Sequence, residues 1–434
     1  MSTATLRSAT QGTAEYDSLL ARLARRGESD LDRVEPAVRE ILAAVRSEGD
    51  RGLARYVERF EKRSPSSWLA RDYGGEAALR SLPAPVAEAL VEAAARIRRY
   101  HQKQADHLGG FEYVEEGVTL GSRVTPLERV GVYAPGGKAR YPSSVLMCAV
   151  PAQVAGVSEI IVACPDTSAE VRAACHLAGV HALLDAGGAQ AIAALAYGTE
   201  SVPRVDKIVG PGNIYVAAAK RLVFGEVDID SIAGPSEILV VADETADPVL
   251  VAADLLSQAE HDEAAYPLLV TNSAKLVANV QRELSQQLSS LPRQAIAEVS
   301  VRSNGFVLLV NDRAALISVA NALAVEHVAV HTAEPRALAD RILRAGAIFV
   351  GSMTPEAAGD YLAGPSHVLP TGGAARYGAP LGVYDFVSRT SIIGYDPSAL
   401  LAQGPKITAL ARAEGLEAHA RAVEARTQPK RNQQ

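Results

Sequence analysis

Gln258 and His261 stand three residues apart at the end of the stretch Asp247-Pro248-Val-Leu-Val-Ala-Ala-Asp-Leu-Leu-Ser-Gln258-Ala-Glu-His261-Asp262. The stretch reads as one helix. Asp247 suits the N-cap, Pro248 suits the first helical position, and Leu250, Leu255 and Leu256 with the alanines form an apolar side. A spacing of three projects both side chains from one face of the last turns, where a carbonyl oxygen and an imidazole can act as neighbouring metal ligands. A lone pair of this kind is more often a solvated feature of a helix end, so the rest of the chain must supply the support. Cys148, Cys164 and Cys175 have no paired metal spacing and lie in apolar surroundings, which reads as reduced, buried thiols. Any metal must then be held by nitrogen and oxygen, which narrows the search to the nine histidines and nearby carboxylates.

Glycine loops offer a second kind of chemistry. Val130-Gly-Val-Tyr133 leads into Pro135-Gly-Gly137, Ala182-Leu-Leu-Asp185 into Gly187-Gly-Ala-Gln190, and Lys207-Ile-Val209 into Gly210-Pro-Gly-Asn213. Glycines at such places let backbone N–H groups approach a phosphate at a helix N-terminus. Each loop alone is more often a turn than a phosphate cradle, three at equivalent places bring the two readings level, and none carries the full G-x-G-x-x-G fingerprint, so a dinucleotide must be held atypically or loosely.

These residues need a scaffold. Residues 17–107 look helical, with Leu19, Leu20, Leu23, Leu42, Val45 and Tyr56 at helical spacing, and 111–124 alternate like strands. From Arg129 short apolar strands alternate with helices, which implies a parallel, doubly wound sheet with ligands at the carboxyl ends of its strands. A second series follows Ile232-Ala-Gly-Pro-Ser236-Glu, with strands at 238–241, 268–271, 306–310, 327–331 and 347–350. Thr354-Pro355 opens a short helix ending near Asp360, and the tail from about Asp385 is polar and Ala-rich, with 429–434 expected to be disordered. The fold class is α/β, with two doubly wound, incomplete Rossmann-like parallel-sheet domains, a helical N-terminal arm (1–23) suited to packing on a partner, and a helical C-terminal tail (385–434).

Composition excludes several classes. The chain is 48% hydrophobic and 21% charged, ordinary for a soluble globular protein. A net charge of -7 gives no basic footprint, so nucleic acid is not an expected partner. No apolar run reaches the length of a membrane span, and the polar N-terminus lacks a secretory core, so the expected location is cytoplasmic.

Several separated stretches, in collinear order over nearly the whole chain, resemble histidinol dehydrogenase. They are Asp185-Ala-Gly-Gly-Ala-Gln-Ala-Ile, Val205-Asp-Lys-Ile-Val-Gly-Pro-Gly-Asn213, Ala233-Gly-Pro-Ser-Glu237, Asp254-Leu-Leu-Ser-Gln-Ala-Glu-His261, Glu326-His327, Gly364-Pro-Ser-His-Val-Leu-Pro-Thr371 and Ala413-Glu-Gly-Leu-Glu-Ala-His419. The resemblance implies oxidation of L-histidinol through histidinal to L-histidine, with two NAD⁺ used at a site holding one zinc per subunit. It implies zinc ligands Gln258, His261, Asp360 and His419, and substrate contacts from Ser236, Gln258, His261, His327, Asp360, His367, Glu414 and His419. His327 then serves as general base, since imidazole titrates near working pH. Glu326 activates water for the second oxidation, and Tyr133, Gln190 and Asn213 contact NAD.

Adjacent strand residues point to opposite faces, so Glu326 and His327 can share a site only at a strand end or an irregular turn. The resemblance assigns 133–236 to NAD binding, 24–132 with 237–384 to the catalytic zinc domain, and the tail to completing the partner's site in a homodimer. Within that tail Gly415 is a good helix stop, so the chain should bend between Glu414 and His419. This chain departs from the family pattern at Val325, where proline is usual, and at Ser366, where asparagine is common. His101, His107, His176, His181 and His331 match no motif and are expected to be structural or solvent-facing. Two other readings stay open: a related zinc dehydrogenase for another small polar alcohol such as a sulfonated diol, and a nucleotide-binding regulator without catalysis.

Overall fold

The computed structural model describes residues 5–26, 31–136 and 141–427. Gly137 of the first glycine loop and the 429–434 segment lie outside the described residues. The chain divides into two compact units, Met1–Gln104 with Leu127–Phe386, and Ala105–Pro126 with Val387–Gln434.

The chain opens with β1 (Arg7–Thr10), α1 (Ala14–Ala24), α2 (Leu31–Glu48), α3 (Asp50–Glu61), β2 (Leu69–Ala70), α4 (Gly75–Ser81) and α5 (Ala84–Ala105). Next come β3 (Phe111–Glu115) and β4 (Val118–Pro126), then β5 (Arg129–Tyr133), α6 (Pro142–Ala155), β6 (Glu159–Ala163), α7 (Ala169–Leu177) and β7 (Ala182–Leu184). The first series closes with α8 (Gly188–Tyr197), β8 (Lys207–Val209), α9 (Ile214–Val223) and β9 (Asp228–Ile229). The second series runs β10 (Glu237–Ala242), α10 (Pro248–Ala259), β11 (Tyr266–Thr271), α11 (Ala274–Leu288), α12 (Gln294–Asn304), β12 (Phe306–Leu309) and α13 (Arg313–Leu323). It ends with β13 (His327–His331), α14 (Pro335–Ala339), β14 (Ala347–Val350) and α15 (Glu356–Tyr361).

The two sheets share one topology. Their orders are β2-β7-β6-β5-β8-β9 and β1-β12-β11-β10-β13-β14. In each, the first strand of the series is central, the next two lie on one side, and the last two on the other. This is the doubly wound arrangement with a switch point, between β5 and β8 in the first sheet and between β10 and β13 in the second. Pairing is parallel except where β2 meets β7. Alternate strand residues bury on opposite faces: Val130, Val132, Ile160 and Val162 join the cluster under α5–α7, while Ile161, Ala163, Leu184 and Ile208 join that under α2, α3, α8 and α9. The second sheet is covered likewise by α10–α12 on one face and by α1, α13 and α14 on the other. Burial on both faces is why these strands read as continuous apolar runs.

Three features differ from the sequence reading. Helices α2 and α3, grouped there with 237–384, bury Val38, Ile41, Val45, Leu53 and Val57 against the first sheet. The described part of the 1–23 segment, from residue 5, is built into its own chain, because β1 pairs with β12 and Tyr16, Leu19 and Leu23 of α1 join the second sheet's core. A helix not foreseen, α12, follows α11, and its Ala297 and Val301 complete the cover of one face of that sheet.

The second unit is a three-stranded antiparallel sheet, β15 (Val387–Tyr395) beside β4 beside β3, followed by α16 (Pro397–Ala413) and α17 (Glu417–Thr427). The tail thus begins with a strand before its helices. All three cysteines are free and buried. Among the described residues no helix is long and apolar enough to cross a membrane.

Candidate active site

Helix α10 starts where its sequence says it should: the Asp247 carboxylate accepts from the Val249 N–H at 2.9 Å, and Pro248 occupies the first helical position. A helix following a parallel strand runs back along it, so the carboxyl end of α10 returns to the amino ends of the strands. Gln258, 1% exposed, and the exposed His261 arrive there, His261 in the turn just beyond the helix. Helix α15 contributes Glu356 and Asp360, one turn apart and so on one face. The donor atoms of His261, Glu356 and Asp360 lie within 4.8 Å of one another. One imidazole nitrogen and two carboxylates, with an amide beside them and no thiolate, suit a divalent cation such as zinc.

Two acids crowd this cluster. Burial, with the nearby Asp360 charge, pushes the Glu356 carboxyl well above its ordinary range. It accepts from Ser257 Oγ at 3.3 Å. The Gln258 amide, oriented by its neighbours, turns its nitrogen to Glu356 at 2.7 and 3.1 Å and leaves its oxygen on the other branch. The same nitrogen lies 3.3 Å from His327 Nδ1. Glu356 was not foreseen in the sequence; its spacing of four from Asp360 on a short helix was the available signal.

Glu326 and His327 meet this cluster from β13. Helix α13 ends at Ala324 with φ 45°, a left-handed residue that turns the chain sharply before the strand. Glu326 precedes β13 and His327 is its first residue, so the pair sits at a strand end, and at the amino end of the sheet. The Glu237 backbone holds both side chains: its N–H donates to Glu326 Oε2 at 2.9 Å, and its carbonyl lies 3.0 Å from His327 Nδ1. Glu326 Oε2 and His327 Nδ1 are 3.6 Å apart. A carbonyl can only accept, so Nδ1 carries the proton and Nε2 keeps its lone pair. Burial drives His327 down to about 4, outweighing the opposing pull of Asp360, so the imidazole is neutral at neutral pH. Burial likewise pushes the Glu326 carboxyl well above its ordinary range.

His367 links the two sheets' loops. Its Nδ1 lies 3.1 Å from the Asp360 carbonyl and its Nε2 3.4 Å from Ser144 Oγ, near the start of α6. Ser366 donates to the Met147 carbonyl at 3.1 Å, which pins this loop to α6 and explains how a serine serves there. Ser236 is half-buried immediately before β10. His331, unmatched by any motif, pairs with Asp254 at 2.9 Å inside the second sheet's cover.

The glycine loops gather at the carboxyl ends of the first sheet. Gly210 has φ 111°, and a Cβ there would lie 2.2 Å from the Tyr133 carbonyl oxygen, so only glycine lets β8 leave beside β5. The Gly187 N–H donates to Glu61 at 2.9 Å and the Gly188 N–H to the Tyr133 hydroxyl at 3.0 Å. The amides of both glycines in this loop are thus taken by protein acceptors. Gln190 donates to Glu61 at 3.1 Å, and Asn213 caps α9 through Tyr215 and Val216.

Glu414 and His419 belong to the second unit. Glu414 closes α16, Gly415 takes φ 77°, and His419 lies in the first turn of α17, so the chain bends between them; both are exposed.

Residues 24–427 match the family model described as histidinol dehydrogenase. The histidinol dehydrogenase of Syntrophotalea carbinolica is 50% identical over 419 residues, covering 95% of this chain and 97% of that protein. That of Aquifex aeolicus is 50% identical over 409 residues, covering 94% and 96%. The crystal structure of histidinol dehydrogenase from Elizabethkingia anophelis superimposes with a TM-score of 0.90 at 32% identity, covering 97% of this chain and 98% of that one. Fold and kinship agree, and the chain belongs to the histidinol dehydrogenase family.

Proposed function

We propose that the protein oxidises L-histidinol through histidinal to L-histidine with NAD⁺ and one zinc ion per subunit, as a homodimer. The observation carrying this reading is the buried His327 beside Glu326, its Nδ1 3.6 Å from Glu326 and 3.7 Å from Glu356 of the His261/Glu356/Asp360 cluster. Gln258, His261, Asp360 and His419 would hold the metal, with Glu356 packed behind the Gln258 amide. When bound, the ion would orient the substrate's nitrogens, and NAD⁺, met by Tyr133, Gln190 and Asn213, would accept the hydride.

The chain's own residues handle protons and position. His327 Nε2 takes the hydroxyl proton in the first oxidation, helped by an environment that keeps it neutral. Glu326, held by the Glu237 N–H, takes the proton from the water that hydrates the aldehyde. Ser236 and His367 flank the reacting carbon, and Glu414 and His419 come from the partner's tail to meet the substrate amine and imidazole. A carboxylate at 414 favours a cationic amine and repels a sulfonate, which weighs against a sulfonated diol as substrate.

NADH formation by the purified protein with L-histidinol, histidinal and other small polar alcohols tests the reading. It requires turnover of both histidine precursors; oxidation of another alcohol in preference to histidinol would refute it.

A further inference from the structure

We propose that Arg26, at the end of the N-terminal helix, is a positioning residue for Glu326 and His327 and acts through Glu237. The proposal rests on the catalytic roles given above. Arg26 Nε donates to Glu237 Oε1 at 2.7 Å and its Nη2 to Oε2 at 2.6 Å, a two-pronged pair whose side chains are each 1% exposed. The same carboxylate also accepts from the Gly372 N–H at 2.9 Å and the Glu326 N–H at 3.3 Å. The remaining guanidinium nitrogen donates to the carbonyls of Leu23 at 2.7 Å and Leu323 at 2.9 Å. Leu323 is the last residue of α13, next to the left-handed Ala324.

One planar cation therefore ties together α1, the end of α13 and the start of β10. Glu237 in turn grips the catalytic pair with its main chain, N–H to Glu326 and C=O to His327. A buried ion pair contributes little net stability compared with apolar residues of the same volume, so stability alone does not account for it. Its fixed geometry does something an apolar pair cannot: it sets two backbone segments, 323–327 and 237, in register. Lysine would not substitute, because it lacks the fork and cannot reach carboxylate and carbonyls together. The N-terminal strand and helix, built into the second sheet, are thus part of the catalytic apparatus.

The test compares Arg26→Met with the native enzyme in two ways. Turnover is measured with L-histidinol and with histidinal, and the imidazole N–H protons are followed by NMR in ¹⁵N-histidine-labelled protein. His327→Asn assigns the His327 Nδ1–H signal, and His331, hydrogen-bonded to Asp254 further along β13, is the internal control. The proposal requires kcat to fall roughly 10–100-fold, as expected for a small displacement of reacting groups. KM and metal content should stay close to native. The His327 signal should shift or broaden while that of His331 is kept.

Turnover within about two-fold of native, or a His327 signal left unchanged, would overturn it. Loss of both signals would mean general loosening of the fold and would also overturn it. If Arg26→Met does not fold, Arg26→Met/Glu237→Gln removes the uncompensated carboxylate and must show the same selective loss. A native enzyme inactive with histidinol would refute the functional reading, while the NMR comparison would still decide the positioning claim.

Discussion

His327 Nδ1 lies 3.0 Å from the carbonyl oxygen of Glu237, and this contact decides which imidazole nitrogen can act as base. With Nδ1 committed as donor, only Nε2 can take a substrate proton. His327→Asn should therefore slow histidinol oxidation about 10²–10⁴-fold, the usual cost of losing a general base. Glu326→Gln keeps an acceptor for the Glu237 N–H but no base, so it should impair histidinal oxidation more than histidinol oxidation. Half-reactions assayed separately check this, and equal damage to both in Glu326→Gln would contradict the division of labour.

Metal removal should abolish activity and leave the fold intact. The candidate ligands hang from the end of α10 and the turn after it, from α15 and from α17, while the cores of both sheets are apolar and owe nothing to an ion. Circular dichroism and NADH production followed together during chelation should separate, and Zn²⁺ or a similar divalent ion should restore turnover. Full activity in a verified metal-free sample would contradict the metal's role.

The tail makes a prediction about assembly. If Glu414 and His419 serve the partner's site, His261→Asn and His419→Asn variants should complement each other when mixed. Random exchange makes about half the dimers mixed, and in each the swapped tails leave one intact site, so roughly a quarter of all sites should recover. No recovery after proven subunit exchange would mean that each tail serves its own subunit.

His101 is fully buried, and burial lowers its pKa from the ordinary 6.5. The unfolded chain then binds a proton there at a higher pH than the folded one, so the group costs no stability above 6.5. As pH falls below that value the penalty grows until the folded pKa is reached, with a slope of at most about 1.4 kcal/mol per pH unit. His101→Leu should flatten the acid side of the thermal-midpoint profile below pH 6.5. Parallel profiles for variant and native protein would contradict the attribution.

Local chemistry made much of this site legible. The Asp247 cap, Pro248 and the 258/261 spacing announce α10 because each acts within its own helix, and Gly210 announces the turn beside β5. What escaped depends on distance along the chain. Glu237 and Arg26 stand 211 residues apart, and neither carries a local signal of the other. The apolar side of α2 says that it is buried but not against which sheet. Strand β15 is mostly exposed and has no buried residue, so its pairing with β4 is visible only in three dimensions. The gathering of the site at the amino ends of the second sheet, where open parallel sheets seldom bind ligands, follows from the return of α10 and the turn at Ala324, and neither is a sequence motif.

Two oxidations at one site would fix the ratio of NADH to histidine. Limiting L-histidinol is consumed to completion with excess NAD⁺, and NADH absorbance is compared with histidine formed. Taking an alcohol to a carboxylate removes two hydrides, so the account predicts two NADH for each histidine, with little free histidinal. One NADH for each histidinol consumed, with the aldehyde as the final product, would contradict it.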